Sequence, residues 1–530
     1  MVALPRSDGP HAPGWGAVAA VVALAALMRG LFYPGFFGSD EVTYIESAYR
    51  LLDGHWNVPQ YVGANRYGVN LPVAFFSALL GRHEFSAALY SLLCSLAEVA
   101  LVTRLGARLV GVKGAVLAGL LLATLPVHVH YAGRLMADAP FALFATASFM
   151  LLAEAEARQS TRLWFAAGCA AGFTFWIKPA AVVYIGVLAA YPLLARRIDW
   201  RWGWVAAGFA AVVLANNLFF LALTSRFWFM LETMGARRSS GYLAAELGSG
   251  ALHNQAGFYL EYLFAKAYHT WLLGPLSLVA ALVAWHRRGR MPAAERHGLA
   301  FVAFWSGGLL LLLSLLVVSL RPLTLIPKQI NYMLMFVAPL CLLAGWWLST
   351  LQAPRRAAAL LLWLVPAAML AGLLQASTLV FTANSKATVA YMRAHPDGLA
   401  HLGSNAYRAA QFEQVVRPGQ ERLRFKTIAE ALAPAAEGPD AQAERYAVVD
   451  LQTILWGADE PFRRIEQTPA CWQRVQVLEP EVRGAGPALA RGLADLMSAA
   501  SLPAGLLQRA TALALPLKAF VYRVPAQACP

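Results

Sequence analysis

The feature that most constrains this chain is a succession of apolar runs, each close to the length needed to cross a bilayer. A spanning helix takes about 20 mostly apolar residues. Windows at 15–34, 86–106, 114–127, 136–153, 163–177, 179–195, 204–224, 271–285, 298–320, 331–349 and 357–380 meet or approach that length. They predict a mostly α polytopic membrane protein of about eleven transmembrane helices, because runs of this kind satisfy their backbone groups in lipid only as helices. Composition agrees: 59% of the 530 residues are hydrophobic and 14% are charged, against about a quarter charged in a soluble domain. The first run lacks a strong basic leader and an evident cleavage site, so it reads as a retained helix.

The net charge of +14 does not point to nucleic acid, because its distribution follows topology. Arg104, Arg108, Lys113, Arg158, Arg162, Arg196, Arg197, Arg201, Arg287, Arg288, Arg290, Arg296, Arg355 and Arg356 all fall in alternate connections. Basic residues collect in this way on the cytoplasmic side. The connections at 35–85, 128–135, 225–270 and 321–330, and everything after 380, then face the exterior. Cys94, Cys169 and Cys341 lie in apolar runs, where a thiol acts as a small hydrophobe. Cys471 and Cys529 lie in the exterior tail, where a disulfide is compatible with the compartment.

Composition shifts near residue 381, dividing a transmembrane domain, 1–380, from a soluble exterior domain, 381–530. Segments 399–404, 422–428, 445–452, 472–479 and 518–524 have strand character. With a helical stretch at 404–416 and a loop at 432–444, they predict a small C-terminal α/β domain. Two exterior connections are long: 225–270, polar and glycine-rich at 232–250, and 35–85. In the latter, Val42, Ile45, Tyr49 and Leu52 recur at helical spacing and Asp53-Gly54 marks a stop. That helix is too short and polar to span, so it lies along the membrane surface. Segment 68–81 is also too short, and reads as re-entrant or interfacial.

Charged groups at the exterior boundary are the candidate chemistry. Asp40 and Glu41 open the surface helix, with Ser39 before them. Complementing the helix dipole would account for about 0.3–1 kcal/mol, but charge at a membrane boundary is costly and tends to serve function. Asp138 starts a later run on the same face, with Arg134 four residues earlier, in reach of a helical ion pair. Paired carboxylates at one outer cavity can orient a hydroxyl and take its proton. Arg66, Arg134, Lys178, Arg321 and Lys328 lie on the exterior against the topological bias. Singly, each can snorkel to headgroups; as a set they suit a lipid-borne phosphate. His128, His130, His253 and His269 are also exterior but show no metal-ligand spacing. No phosphate-binding loop, GxGxxG, HExxH or GxSxG sequence is present, and few charges lie inside the runs, unlike proton-coupled transporters.

These residues carry a resemblance. The DExxY pattern of DEVTY, 40–44, continuing through AYRLLDGHW, 48–56, resembles the first outer loop of integral-membrane glycosyltransferases with the C-type fold. The nearest types are the protein O-mannosyltransferases and lipid A aminoarabinose transferases. RLMAD at 134–138, WIKP at 176–179 and KQINYMLMFVAPL at 328–340 are similar, in order, to their later motifs. The resemblance implies an inverting enzyme that uses a polyprenyl-phosphate sugar, with no cofactor and no catalytic metal, in a bacterial inner membrane. By it, Asp40 is the base or positioning carboxylate, Glu41 supports it, and Asp138 helps bind acceptor or sugar. Tyr44, Arg66, Arg134, Lys178, Arg321 and Lys328 serve the lipid phosphate or sugar. The acceptor is a hydroxyl on lipid, glycan or protein. One departure stands in the first loop, where NRYGVNLP, 65–72, replaces the relatives' Lys/His–Pro–Pro motif, with Arg66 in the basic position. A transporter or flippase of a lipid-linked sugar is the alternative of a different class.

Overall fold

A computed structural model describes residues 12–33, 35, 40–56, 58, 62–178, 182–196, 198–239, 247, 253–265, 269–270, 272–321, 323–351, 387–388, 390–391, 394, 445–450, 468–479, 485–500, 503 and 518–525. The chain is mostly helical. The long apolar helices are α1 (Trp15–Leu31), α4 (Glu84–Leu105), α5 (Ala107–Thr124), α7 (Asp138–Arg158), α8 (Thr161–Ile177), α9 (Val182–Leu194), α10 (Trp202–Thr224), α13 (Leu273–Arg287), α14 (Ala293–Leu315) and α15 (Leu334–Thr350). Among the described residues, six segments are long and apolar enough to cross a membrane: Glu84–Leu105, Ala107–Thr124, Asp138–Arg158, Trp202–Thr224, Ala293–Leu315 and Ile330–Thr350. The predicted run at 357–380 lies outside the described residues. The protein is a multi-pass helical membrane protein.

Contacts sort the helix ends into two groups. At one end Arg104 lies over the Trp15 ring at 4.7 Å, Arg108 meets Glu154 at 3.4 Å, His297 meets Glu156 at 3.4 Å, and Trp346 donates to Glu295 at 2.6 Å. At the other end Tyr33 packs edge-on to Phe85, and Arg134, Asp138, Lys178 and Asn331 come together with the short helices. Those are α2 (Asp40–Leu52), α3 (Tyr67–Leu80), α6 (Pro126–Ala132), α11 (Phe229–Ser239) and α12 (Phe258–Phe264). The 225–270 connection is helical at 229–239, running into the stretch 232–250 read as polar and glycine-rich, and again at 258–264, in the Tyr- and Phe-rich stretch that follows it.

Two local features concern where helices end. Helix α2 buries Val42, Tyr44, Ile45, Ala48 and Tyr49, and Gly54 closes it at φ +80°, a conformation glycine adopts without steric cost. The window at 298–320 overruns the helix, because α14 ends at Leu315 and Val317–Leu320 forms strand β1, paired with β2 (Leu323–Leu325). Two adjacent valines favour the strand, and apolarity alone does not separate the two states.

Lipid provides no hydrophobic force between helices, so close backbone approach matters. Helices α8 and α10 meet at Gly168 and Gly208. A Cβ on Gly208 would collide with the carbonyl oxygen of Phe165, and one on Gly168 with that of Val205. Gly208→Val is expected to destabilise the bundle by about 1–3 kcal/mol or more, read as a lowered Tm in detergent. An unchanged Tm would show that this contact is not tight.

A polar network crosses the core near the same end. Arg29 on α1 donates from Nε to Ser95 Oγ at 2.8 Å and from Nη2 to His128 Nδ1 at 2.6 Å. Guanidinium can only donate, so Nδ1 accepts, and Nε2 carries the proton directed at Glu98 Oε2, 3.0 Å away. Thr146 completes the chain, donating to Glu98 Oε1 at 2.8 Å. The runs thus hold a buried cation and a buried carboxylate that hydropathy passed over, and His128, at the end read as exterior, is buried within the protein. His130 and His269 are buried as well.

In the C-terminal region β3 (Arg445–Asp450), β4 (Gln473–Leu478) and β5 (Ala519–Val524) form an antiparallel sheet ordered β3-β5-β4. Helix α16 (Ala485–Ala499) lies between β4 and β5 in the sequence. The strands expected at 399–404 and 422–428, the helix at 404–416 and the loop at 432–444 lie outside the described residues. Cys471 is disulfide-bonded, while Cys94, Cys169 and Cys341 are free thiols.

Candidate active site

Lys178 follows the last residue of α8. Its backbone is extended, φ −151° and ψ 110°, as expected for a residue followed by proline in the sequence. That bend lets the ammonium reach Asp138 Oδ1 at 2.9 Å and lie over the Tyr332 ring at 4.2 Å. Asn331 Nδ2 donates to the other oxygen, Oδ2, at 3.0 Å. Asp138, 3% exposed, sits in the first turn of α7 with both oxygens occupied. Its carboxylate is thus held between Lys178 and Asn331.

Arg134 lies between α6 and α7. Helix α6 ends at Ala132 and α7 starts at Asp138, so the two residues share no helix and the i,i+4 pair does not form. Arg134 instead forms a buried ion pair with Glu41, Nε to Oε1 at 3.6 Å, and stacks over Tyr131 at 5.1 Å. Glu41 is 1% exposed. One turn along α2, the Tyr44 hydroxyl accepts a hydrogen bond from Arg66 Nη1, and the Arg66 charge also acts on Asp138. Arg66 immediately precedes α3, whose N-terminus packs tightly on α8, a Cβ on Gly68 lying 2.9 Å from the Trp176 carbonyl carbon.

Six expected residues, Glu41, Tyr44, Arg66, Arg134, Asp138 and Lys178, thus join one charged network. Asp40 lies next to it, half-buried at the start of α2. Lys328 is buried three residues before Asn331, its ammonium donating to the Ile326 carbonyl at 3.0 Å. Burial lowers its pKa from the usual lysine value. A backbone bridge to His253 fixes it, with N–H to O distances of 3.1 and 3.0 Å. Arg321 stands apart, exposed in the turn between β1 and β2. Asn331, Tyr332 and Tyr131 were not singled out from sequence; a lone amide at the mouth of an apolar run was the signal for Asn331. Among the described residues, no three His, Cys, Asp or Glu side chains are gathered to hold a metal ion.

Shallow open hollows flank α2. One lies against Glu41 and is lined by Tyr33, Ile45, Glu84 and Leu135. Another is lined by Ser47, Arg50, His55, Tyr67 and Asn70. Exposure differs among the three carboxylates. Glu41 and Asp138 are buried against cations, whereas Asp40 is half-buried.

Residues 68–220, which carry Arg134, Asp138 and Lys178, match the family profile of dolichyl-phosphate-mannose-protein mannosyltransferases. No protein of curated function matches the chain. Among solved structures, apo ArnT from Cupriavidus metallidurans is similar at 16% identity and TM-score 0.51, over 87% of this chain and 96% of that one. ArnT bound to undecaprenyl phosphate gives 16% and 0.52, over 84% and 94%. The Archaeoglobus fulgidus oligosaccharyltransferase, in complex with Zn and sulfate, gives 13% and 0.51, over 82% and 68%. The chain has the C-type glycosyltransferase fold. The family that matches and the proteins that share the fold are glycosyltransferases.

Proposed function

We propose that the protein transfers a sugar from a polyprenyl-phosphate donor to a hydroxyl acceptor, with inversion, on the outer face of a bacterial inner membrane. One observation carries this reading: a half-buried Asp40 borders a network in which the other two carboxylates are buried against Arg134 and Lys178. In the proposed step Asp40 takes the acceptor's hydroxyl proton. The oxygen attacks the anomeric carbon, the carbon–oxygen bond to phosphate breaks, and the polyprenyl phosphate leaves with the electron pair. Lys178, Arg134, Arg66 and Lys328 stabilise the charge that develops on the leaving group, an electrostatic contribution that grows in a water-poor site. Tyr44 holds Arg66 in place.

Two features support the orientation. Arg104, Arg108, Arg158, Arg201 and Arg288 lie at the opposite helix ends, as cytoplasmic residues do. Cys471 is disulfide-bonded, which fits an oxidising compartment for residues 381–530, here taken as a separate exterior domain.

The test is purified protein in liposomes with polyprenyl-phosphate sugars and candidate hydroxyl acceptors, read by mass spectrometry. The expected result is a product heavier by one sugar residue, with polyprenyl phosphate released. Movement of the lipid-linked sugar between leaflets with no product would instead establish the transporter reading.

A further inference from the structure

The hairpin between α14 and α15 is patterned inside out for water. Cross-strand partners share a face and side chains alternate along each strand. Leu320 pairs with Leu323 and Ser319 with Thr324. Simple alternation would put Val317 beside Ser319. A bulge between Val317 and Ser319 shifts the register, so that Val317 pairs with Leu325. Leu325 lies two residues from Leu323, so Val317, Leu320, Leu323 and Leu325 share one wholly apolar face. The other face presents Ser319 and Thr324, and Thr324 is buried against the protein.

The apolar face is the uncovered one: Leu320 is 79% exposed, Leu323 65% and Val317 42%. Its inner side is tied down by the Leu325 N–H to Asn254 Oδ1 at 2.7 Å and the Ile326 N–H to the Leu316 carbonyl at 2.6 Å. The hairpin begins two residues after the last residue of one candidate span and ends before the next starts at Ile330. Four strand residues extend about 13 Å, so the tip stays close to the headgroup layer. Arg321, in the turn, adds a cation beside the two most exposed leucines.

We propose that this hairpin is a membrane-contact surface. Val317, Leu320 and Leu323 seat at the boundary of headgroups and acyl chains on the side that carries the charged network, and Arg321 meets lipid phosphates. The occupant is the bulk bilayer. The assignment is independent of the transferase reading, since it rests on the register and exposure of the hairpin and on its place between two candidate spans.

The test places a nitroxide on Leu320→Cys and, separately, Leu323→Cys in nanodiscs of phosphatidylethanolamine and phosphatidylglycerol. Collision with oxygen is compared with collision with a water-soluble nickel chelate. Both sites are expected to favour oxygen severalfold over a label free in buffer. Nickel accessibility equal to that of the free label overturns the proposal. So does protection that appears only when undecaprenyl phosphate is added, which would assign the face to a donor tail, or dipolar broadening between labelled copies, which would assign it to a second chain. If the variants do not fold, wild-type protein in lipid bearing a photoactivatable acyl chain gives the same answer. Adducts within 317–325 support the proposal, and their absence with adducts on α14 overturns it.

Discussion

Asp40→Asn is expected to lower transfer by about 10²–10⁴-fold, the usual contribution of a positioned acid or base, with little loss of stability. The substitution keeps the shape of the side chain and acts at a half-buried position in the first turn of α2. The helix-dipole part of the structural cost is about 0.3–1 kcal/mol. The measurement is the initial rate on a polyprenyl-phosphate sugar at saturating acceptor, with Tm as the folding control. A wild-type rate would remove Asp40 from the reaction. Glu41→Gln makes the contrast: it takes the charge from a buried partner of Arg134, so its Tm should fall along with its rate.

Lys178→Met is expected to act on both folding and activity. It leaves Asp138 buried with one oxygen deprived of its cation, and breaking a buried pair of this kind costs about 3–5 kcal/mol. Adding Asp138→Asn removes the stranded charge, so the double variant should be more stable than Lys178→Met alone. Its turnover should stay low, because the cation facing the leaving phosphate is still missing. The cycle of two singles and the double isolates the coupling. Additive changes in stability would mean that the pair at 2.9 Å is not energetically linked. Recovery of turnover in the double variant would make Lys178 a structural residue only.

What sequence made legible here is local. Helix α2 was readable from the spacing of Val42, Ile45, Tyr49 and Leu52 and from Asp53-Gly54, because period and stop signal are both contained within one short stretch. The strands at 445–450, 473–478 and 519–524 were readable for the same reason. Pairings between distant segments were not. Arg134 was read against Asp138 because four residues separate them, yet the helix is interrupted there and Arg134 turns to Glu41 on another element. Asn331 reaches Asp138 across 193 residues, a contact no window can contain. The end of α14 was misplaced for a different reason: one apolar alphabet serves lipid-facing helix and lipid-facing strand alike, so only the pairing of Val317 with Leu325 reveals the change.

The Arg29 network bears on how the chain is assembled. Arg29 leaves the ribosome with α1, whereas His128 follows 99 residues later. A lone arginine deep in a spanning helix costs about 2.5–3.5 kcal/mol on insertion scales, relieved when it sits near an end and snorkels. Arg29 stands in the last turn of α1, close enough to the helix end for its guanidinium to reach headgroups and water before its partners are made. Ser95, Glu98 and His128 then receive that charge inside the protein. Helix α1 is in this sense made before the partners that complete it.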